Sequence, residues 1–318
     1  MQLPSSEIVK VIIEHHRHTL AMDHVDHVDV SFIGQGYTNL NVLVTVNQAQ
    51  QFNLRIGLKN NKRAARKLQN EFDVLQRVPV GIGPRAFIVD LSRIHLSKPY
   101  SILQYLPGET KTLWSDADIE THARRLAQLH QRKFAQHGKF GRLTQAKFDI
   151  LNHFRDNIHY WHTHCPALFD LATFQRLLPT IRRFIADHAK LFTGLHTFTI
   201  VHNDLNMRNM VFHGNRLYYI DWQWTRVGDP ALDIASFAWD IANPPGIMKL
   251  TGQRLDMFLT TYLGHKVDAT LRQRRDVWMV CGMFFALFFY RIWMSKDSTG
   301  TSSSNVHQIE AYLNERFL

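Results

Sequence analysis

The stretch VHNDLNMRNMVFHGNRLYYID, residues 201–221, places three oxygen-bearing side chains around one short segment. Two apolar runs, NMVFH and LYYID, are separated by the turn-forming residues GNR, which predicts a small hairpin. Asp204 and Asn209 lie where the chain enters this hairpin, and Asp221 lies where it leaves. We therefore expect the three side chains to meet at one end of the hairpin.

Carboxylate and amide oxygens are hard ligands that suit Mg²⁺, which fills its remaining positions with phosphate and water. A carboxylate that does not bind the metal can orient a hydroxyl nucleophile. Together these are the parts that phosphoryl transfer needs. For each residue taken alone, ordinary turn and cap chemistry is the alternative, because Asp and Asn favour such positions.

The composition is that of a globular protein, with 318 residues, 45% hydrophobic and 20% charged. Only two cysteines occur, so we expect no disulfide framework and a cytoplasmic location. The longest uncharged apolar run, residues 277–290, is too short to span a bilayer and predicts a buried helix. We expect no membrane partner.

The net charge of +10 raises the alternative of a nucleic-acid partner. The basic residues are spread over both halves of the chain, however, and form no basic module. The densest run, KNNKRAARK at 59–67, opens a predicted helix and is explained by a solvated helix face. We therefore expect no nucleic-acid partner.

Strand-like patterns dominate the first third of the chain and helical patterns dominate the rest. Strands are predicted at 28–33, 40–46, 51–56, 86–90 and 100–105, and helices at 5–20, 62–78, 116–134, 149–162, 170–191, 253–263, 271–294 and 305–316. The polar stretch DSTGTSSSN, 297–305, predicts a flexible loop. This order predicts an α+β fold with a small β-rich N-terminal lobe, residues 1–103, a hinge at 104–109, and a larger, mainly helical lobe at 110–318.

The segment HNDLNMRN, 202–209, resembles the catalytic loop of the aminoglycoside phosphotransferase and choline kinase superfamily. Members carry His-x-Asp-(x)4-Asn followed by Ile-Asp-Trp or Ile-Asp-Phe. Further segments resemble the family in chain order: FIGQGYTNLNVLV (32–44), NLRIG (53–57), LQNEFDVL (68–75), ILQYLPGE (102–109), RRLAQLHQ (124–131) and GDPALDIASF (228–237). The resemblance implies a two-lobed, protein-kinase-like fold that phosphorylates small molecules with Mg²⁺ and ATP.

The resemblance also implies roles in the second lobe and at its border. Asp204 orients the substrate hydroxyl and is the candidate acceptor for its proton. Asn209 and Asp221 hold Mg²⁺. Asp233 braces the catalytic loop through hydrogen bonds.

In the first lobe, the resemblance implies that Arg55 contacts the α- and β-phosphates and that Glu71 pairs with Arg55. Gly34 and Gly36 allow the backbone to approach the phosphates closely. The main chain from Gln104 to Leu106 holds the adenine. For Arg55 and Glu71 the alternative is a surface ion pair. For Gly34 and Gly36 the alternative is a plain hairpin turn.

Two residues depart from the more familiar family pattern. Arg55 stands where Lys is often found, and a guanidinium can still bind phosphate, in a bidentate manner. Asn203 stands where drug-modifying members often have Gly, and His-Asn-Asp-Leu resembles choline-kinase-like members instead. Only six residues separate Asp221 from Gly228, which disfavours a protein kinase with a long activation loop.

The sequence gives weaker indications of the substrate. Aromatic residues and local acids near the motif suit a cationic molecule, although core packing is the preferred explanation for most of these aromatics. Trp222, Trp224 and Asp240 are the candidate substrate contacts. We expect a cationic amino alcohol such as choline, ethanolamine or a thiamine-like alcohol. An aminoglycoside or macrolide is the alternative, and a non-catalytic nucleotide-binding pseudokinase is the second alternative. The choice between ATP and GTP and the oligomeric state stay open.

Overall fold

The computed structural model describes residues 3–36, 38–237, 250, 252–294 and 301–317. The chain forms two compact units, the first made of Met1–Lys111 with Arg208–Thr225 and the second of Thr112–Met207 with Arg226–Leu318. The first unit is rich in strands and the second is mainly helical, which confirms the predicted α+β class. In this division residues 104–111 and 208–225 belong to the first unit.

The strands are β1 (Val28–Gln35), β2 (Asn39–Val46), β3 (Gln50–Gly57), β4 (Ala86–Asp90), β5 (Tyr100–Gln104), β6 (Lys133–Phe134), β7 (His137–Lys139), β8 (Arg142–Thr144), β9 (Phe198–Val201), β10 (Met210–His213), β11 (Arg216–Tyr219) and β12 (Arg226–Gly228). The α-helices are α1 (Ser6–His15), α2 (Lys62–Leu75), α3 (Asp116–Leu129), α4 (Ile150–His164), α5 (Ala172–His188), α6 (Ala231–Phe237), α7 (Gly252–Leu263), α8 (Leu271–Trp293) and α9 (Thr301–Phe317).

The first unit is built on an antiparallel sheet with the strand order β1-β2-β3-β5-β4. Alternate residues of β2, from Leu40 to Val46, are buried, because one face of the sheet packs against an apolar core. Helix α1 contributes Val9, Ile12 and Ile13 to the same core. Ser5 caps this helix by accepting a hydrogen bond from the Ile8 amide at 3.4 Å.

The β10–β11 hairpin belongs to the first unit because its backbone is bonded there. The Glu109 amide donates to the Phe212 carbonyl at 3.0 Å, and the Phe212 amide donates to the Glu109 carbonyl at 2.9 Å. Gly108, with φ of +143°, permits this contact, since a Cβ there would lie 2.3 Å from the Phe212 carbonyl oxygen. The PGE turn therefore anchors the hairpin.

In the second unit, α8 packs against α6 and α9 and also contacts α5. The apolar run at 277–290 lies inside α8, with Phe284, Leu287 and Phe288 fully buried, as predicted. The prediction of a flexible loop at 297–305 is wrong for its described part, because α9 begins at Thr301. Val306, Ile309 and Leu313 bury one face of α9, and this burial outweighs the low helix propensity of the Ser and Thr residues.

A second sheet, ordered β6-β9-β12-β7-β8, lies in the second unit. Strand β9, between β6 and β12, is fully buried and leads directly into His202 and the catalytic-loop motif. The strands are two to four residues long, and β6, β7, β8 and β12 were not predicted. Among the residues that the structure describes, no helix is both long and apolar enough to cross a membrane.

Candidate active site

Arg55 on β3 stands at the centre of a buried charged cluster in the first unit. Its Nε lies 2.9 Å from Glu71 Oε2, and its Nη2 lies 2.5 Å from Asp221 Oδ1. Glu71 is on the buried face of α2, and its Oε1 also accepts from the Trp222 amide at 2.9 Å. Glu71 lies 16 residues after Arg55, and Asp221 lies 150 residues after Glu71. The three side chains nevertheless meet in one cluster.

Two asparagines on β2 complete the surroundings of Arg55. Asn41 Oδ1 accepts from Nη1 at 3.4 Å. Asn39 is buried, and with its amide oxygen facing the guanidinium it accepts from Nη2 at 3.0 Å and from Nε at 3.2 Å. The guanidinium is therefore fixed in position and orientation by these four side chains.

The pKa values of this cluster reflect burial and charge pairing together. Burial alone would lower the pKa of the Arg55 guanidinium, but Glu71 and Asp221 outweigh it and the pKa is raised. Burial raises the pKa of the Glu71 carboxyl, although the positive charge of Arg55 opposes the change. Arg55 thus remains charged, and its charge holds both carboxylates in place.

Asp221 adopts an unusual backbone conformation, with φ of +68° and ψ of 60°. Non-glycine residues in this left-handed region are uncommon and are often found at functional sites. Its side chain is about a quarter exposed, whereas that of Glu71 is buried. Asp221 is therefore held in a strained conformation with its carboxylate partly open to solvent.

The β10–β11 hairpin brings Asn209 next to the strand end that leads into Asp221. Met210 pairs with Tyr219, and the Asn209 carbonyl accepts from the Ile220 amide at 3.0 Å. Asn209 is 9% exposed, and its amide group is one of the two ligands expected for Mg²⁺. This geometry agrees with the hairpin predicted from the sequence.

Asp204 lies in the second unit, on the loop that follows β9. It is half-buried, and Asn206 Nδ2 lies 3.3 Å from its Oδ1. The preceding Asn203 has φ of +64°, so the loop turns sharply before Asp204. Leu205 is fully buried and anchors the loop directly after Asp204.

Asp233 on α6 fixes this loop through its backbone. Its Oδ2 accepts from the His202 amide at 2.8 Å, and its Oδ1 accepts from the Asn203 amide at 2.7 Å. The hydrogen bonds expected for Asp233 are therefore present. His130 supports Asp233 in turn, since its Nε2 lies 3.1 Å from Asp233 Oδ2 and its Nδ1 lies 2.8 Å from the Tyr262 hydroxyl.

The two glycines of the first hairpin lie where their surroundings leave space. Gly34 is in β1, and the Gly36 amide donates to the Asn39 carbonyl at 3.0 Å. A Cβ added at either glycine would meet no atom of the described residues within 4 Å, so packing against the described residues does not require glycine at either position. The space above both residues is what close approach to a phosphate would need.

The hinge segment follows β5. The Gln104 amide already donates to the Arg85 carbonyl at 2.7 Å, and the Gln104 side chain accepts from the Arg85 amide at 3.2 Å. The Gln104 N–H is thus committed inside the unit. Leu106 follows two residues later, before Pro107, which has no N–H to offer.

The structure does not support Trp222 as a substrate contact. Trp222 is fully buried, and its indole N–H donates to the Tyr219 carbonyl at 2.8 Å. Gly83 packs directly on the ring, since a Cβ there would lie 2.8 Å from Trp222 Nε1. Trp222 therefore serves the core of the first unit.

The other substrate candidates have different outcomes. Trp224 is 44% exposed, and the ammonium of Lys67 lies 4.1 Å from its ring centroid. A cation of the chain itself thus already covers this ring. Asp240 lies outside the described residues. The aromatic residues of α8, such as Phe284 and Phe288, form core contacts with Phe174.

Sequence reasoning missed the contacts that hold residues 221–225 in place. The Thr38 hydroxyl donates to Gln223 Oε1 at 3.0 Å, and Asn70 Nδ2 donates to the Gln223 carbonyl at 3.3 Å and to the Thr225 carbonyl at 3.4 Å. These partners are 153 or more residues apart in the chain. No local sequence pattern marks contacts of this kind.

Comparison with known proteins gives a family match over most of the chain. The sequence model described as "Phosphotransferase enzyme family" matches residues 29–274. The protein LicA of Haemophilus influenzae is 30% identical over 79 residues, which cover 23% of this chain and 27% of LicA. The chain thus matches about a quarter of the length of that relative.

Solved structures resemble the chain over nearly its whole length. The choline kinase of Cryptosporidium parvum Iowa II has a TM-score of 0.66 at 15% identity, covering 98% of this chain and 96% of its own. The ethanolamine kinase of Plasmodium vivax has a TM-score of 0.66 at 14% identity, covering 95% and 86%. A thermostable mutant of aminoglycoside phosphotransferase APH(4)-Ia has a TM-score of 0.66 at 13% identity, covering 97% and 99%. At such identities the likeness concerns the fold, and it confirms the kinase-like fold.

Proposed function

The chain belongs to the phosphotransferase enzyme family, and on this premise we propose that it transfers the γ-phosphate of ATP to a hydroxyl group of a small molecule. The observation that carries the proposal is the Arg55–Glu71–Asp221 cluster. It fixes a guanidinium for phosphate contact beside a partly exposed carboxylate. Asp221 also has a left-handed backbone conformation, which is uncommon for residues other than glycine.

Asp204 is the proposed catalytic residue. It orients the acceptor hydroxyl and takes its proton as the hydroxyl oxygen forms a bond to the γ-phosphorus. The bond between the γ-phosphorus and the bridging oxygen breaks, and ADP leaves. Asp233 supports this role indirectly, because it fixes the two amides that precede Asp204.

The residues present fit a Mg²⁺ ion of the kind that binds with phosphate. Among the described parts of the chain, no three or more His, Cys, Asp or Glu side chains are grouped to hold a metal by themselves. Asn209 and Asp221 supply one amide and one carboxylate oxygen, which suits an ion that keeps waters and phosphate oxygens as its other ligands. When bound, Mg²⁺ supplies positive charge to the phosphate oxygens.

In the first hairpin, Gly34 and Gly36 are proposed to lie under the phosphates, and the open space at both positions supports this. Leu106 is the proposed main-chain contact for adenine, and Gln104 contributes its carbonyl rather than its amide. We also propose a cytoplasmic location, in keeping with Cys165 and Cys281 as free thiols.

For the acceptor, a cationic amino alcohol is the proposed class. Two observations favour it: Asn203 in the His-Asn-Asp-Leu motif, and the fold shared with a choline kinase and an ethanolamine kinase. The aromatic side chains give less support than the sequence suggested, since Trp222 is buried and Lys67 covers Trp224. An aminoglycoside or macrolide acceptor is the second candidate, favoured by the likeness to an aminoglycoside phosphotransferase.

Nucleotide-dependent ADP or GDP release by the purified protein tests the proposal. The acceptor panel is choline, ethanolamine, thiamine, simple sugars, aminoglycosides and macrolides, each with Mg-ATP and with Mg-GTP. We expect one amino alcohol to stimulate release, and Asp204→Asn to abolish the stimulation. Faster turnover of aminoglycosides would contradict the amino-alcohol class. Nucleotide binding without stimulated release by any acceptor would favour a pseudokinase.

A further inference from the structure

A buried ion pair in the second unit joins the start of α6 to the start of α8. Arg274 Nε lies 2.9 Å from Asp229 Oδ2, and Arg274 Nη2 lies 3.2 Å from Asp229 Oδ1. Asp229 directly follows β12, and Arg274 lies in the first turn of α8. Both residues are buried, and neither has a role in the phosphotransfer proposed above.

The Asp229 carboxylate accepts from two further donors. The Trp278 indole N–H donates to its Oδ2 at 2.9 Å, and the Ala231 amide donates to its Oδ1 at 3.1 Å. Ala231 is the first residue of α6, and the next amide, that of Leu232, donates to the Asp229 carbonyl at 3.0 Å. Asp229 thus fixes the beginning of α6 through both its side chain and its backbone.

Arg274 is itself held by a second carboxylate, from the loop before α8. Its Nη2 lies 2.9 Å from Asp268 Oδ2 and its Nη1 lies 3.1 Å from Asp268 Oδ1, and Nη1 also donates to the Thr270 hydroxyl. One guanidinium therefore bridges two carboxylates, which its planar fork of donors permits and a single ammonium does not. Since α6 packs on α8, this bridge fixes where the start of α6 lies on α8.

The helix held in this way carries a residue that supports the catalytic loop. Asp233 lies in the first turn of α6. It accepts from the His202 amide at 2.8 Å and from the Asn203 amide at 2.7 Å, directly before Asp204. A shift of α6 along α8 would therefore move the acceptor away from both amides.

The energetics of a buried ion pair favour a role in geometry over a role in stability. The loss of hydration offsets most of the attraction between the two charges, so the net gain in the free energy of unfolding is small. Loss of one partner is costly, because the other charge then stays buried and unpaired. The Arg274–Asp229 pair thus excludes arrangements in which α6 and α8 are displaced from each other.

We propose that Arg274 is a positioning residue for the phosphotransfer reaction. Through Asp229 it sets the position of α6, and through Asp233 on α6 it sets the position of the loop that carries Asp204. Because Arg274 is buried, it acts on the rate of the chemical step and not on the affinity for the nucleotide. The effect on the rate rests on the proposed function, whereas the effect on the backbone of the loop does not.

The test variant is Arg274→Lys, which keeps the positive charge and removes the fork. The matched control is Arg291→Lys, further along the same helix, where the guanidinium pairs with Glu310 of α9 instead. Hydrogen exchange of the His202 and Asn203 amides is measured by NMR in the protein without substrates. Each rate is taken relative to those of the β9 amides, which cancels a change in global stability. Steady-state kinetics gives kcat and the nucleotide KM.

We expect Arg274→Lys to speed the relative exchange of both amides about tenfold or more, since a charge-assisted hydrogen bond contributes about 1.5–3 kcal/mol. Its kcat should fall on the order of 10- to 100-fold with the nucleotide KM unchanged, because a small displacement of a catalytic group is costly. Arg291→Lys should match the wild-type protein in all three quantities. Trp278→Phe, which removes one bond to Asp229 and keeps a ring in the core, should give smaller changes in the same direction.

Unchanged relative exchange in Arg274→Lys would overturn the proposal, as would an equal loss of kcat in Arg274→Lys and Arg291→Lys. If Arg274→Lys does not fold, Trp278→Phe decides between the same outcomes. Faster exchange in a protein that phosphorylates none of the acceptors would support the role of Arg274 in placing the loop and contradict the proposed function. The two failures are therefore distinguishable.

Discussion

The Nη2 atom of Arg55 lies 2.5 Å from Oδ1 of Asp221, 166 residues further along the chain. The same guanidinium contacts Glu71 on α2. One side chain on β3 therefore connects the sheet of the first unit to helix α2 and to the end of the β10–β11 hairpin. An arginine can do this because its planar fork has donors directed to several sides, whereas a lysine has a single ammonium. This relationship gives the first prediction.

Arg55→Lys should raise the KM for the nucleotide about 10- to 100-fold, because the loss of a charge-assisted hydrogen bond costs about 1.5–3 kcal/mol. The KM for the acceptor should change little. Steady-state kinetics with each substrate varied in turn measures both values. A nucleotide KM equal to that of the wild-type protein would show that nucleotide binding does not need the guanidinium group of Arg55.

Asp233→Asn should lower kcat while leaving the nucleotide affinity intact. The carboxylate accepts from two backbone amides and from His130, and an asparagine in its place turns a donor toward one of these groups. A displaced catalytic loop can cost on the order of 100-fold in rate. Rapid-quench measurement of a single turnover detects the loss. Asp187→Asn, on an exposed position of α5, is the control and should behave as the wild type.

Thr38→Val should raise the KM for the nucleotide about 2- to 10-fold, since a neutral hydrogen bond contributes about 0.5–1.5 kcal/mol. The substitution preserves shape and removes the hydroxyl that holds Gln223, two residues after Asp221. Thr45→Val, further along β2, is the matched control. If both variants give the same KM, the contact between Thr38 and Gln223 has no part in placing Asp221.

Gly83→Ala should lower the free energy of unfolding by about 1–3 kcal/mol, because the added methyl group overpacks the core against Trp222. The new Cβ would lie 2.8 Å from the indole nitrogen and 3.0 Å from Leu75 Cδ2. Urea denaturation measures the change. Gly194→Ala, where a Cβ meets no atom within 4 Å, should be nearly neutral. A neutral Gly83→Ala would contradict Trp222 as a rigid core residue.

The strands and helices of the first unit could be predicted because their buried apolar residues recur at the spacing typical of a strand or a helix. Leu40, Val42, Val44 and Val46 alternate along β2, and α2 repeats apolar residues at helical steps. The hairpin after the catalytic loop could also be predicted, from its turn residues. The pairing of Arg55 with Glu71 came from the family resemblance, and the structure contains it.

Other features were out of reach because they depend on distant partners. Trp222 was a candidate substrate contact, since nothing near it in sequence shows that it packs against Gly83 and bonds the Tyr219 carbonyl. The contact between Lys67 and Trp224 and the one between Thr38 and Gln223 join residues more than 150 positions apart. The start of α9 was missed because Ser and Thr residues favour loops, whereas the burial of Val306 stabilises a helix there.

The most direct test of the central claim compares Asp204→Asn with Asp221→Asn in two assays, Mg²⁺-dependent nucleotide binding and acceptor-stimulated ADP release. We predict that Asp204→Asn keeps nucleotide binding and loses roughly 100-fold or more in turnover, the contribution expected of a general base. Asp221→Asn should weaken Mg²⁺-dependent nucleotide binding itself. Near-normal turnover by Asp204→Asn, with binding also unchanged in Asp221→Asn, would contradict the assignment of both residues and with it the proposed phosphotransfer site.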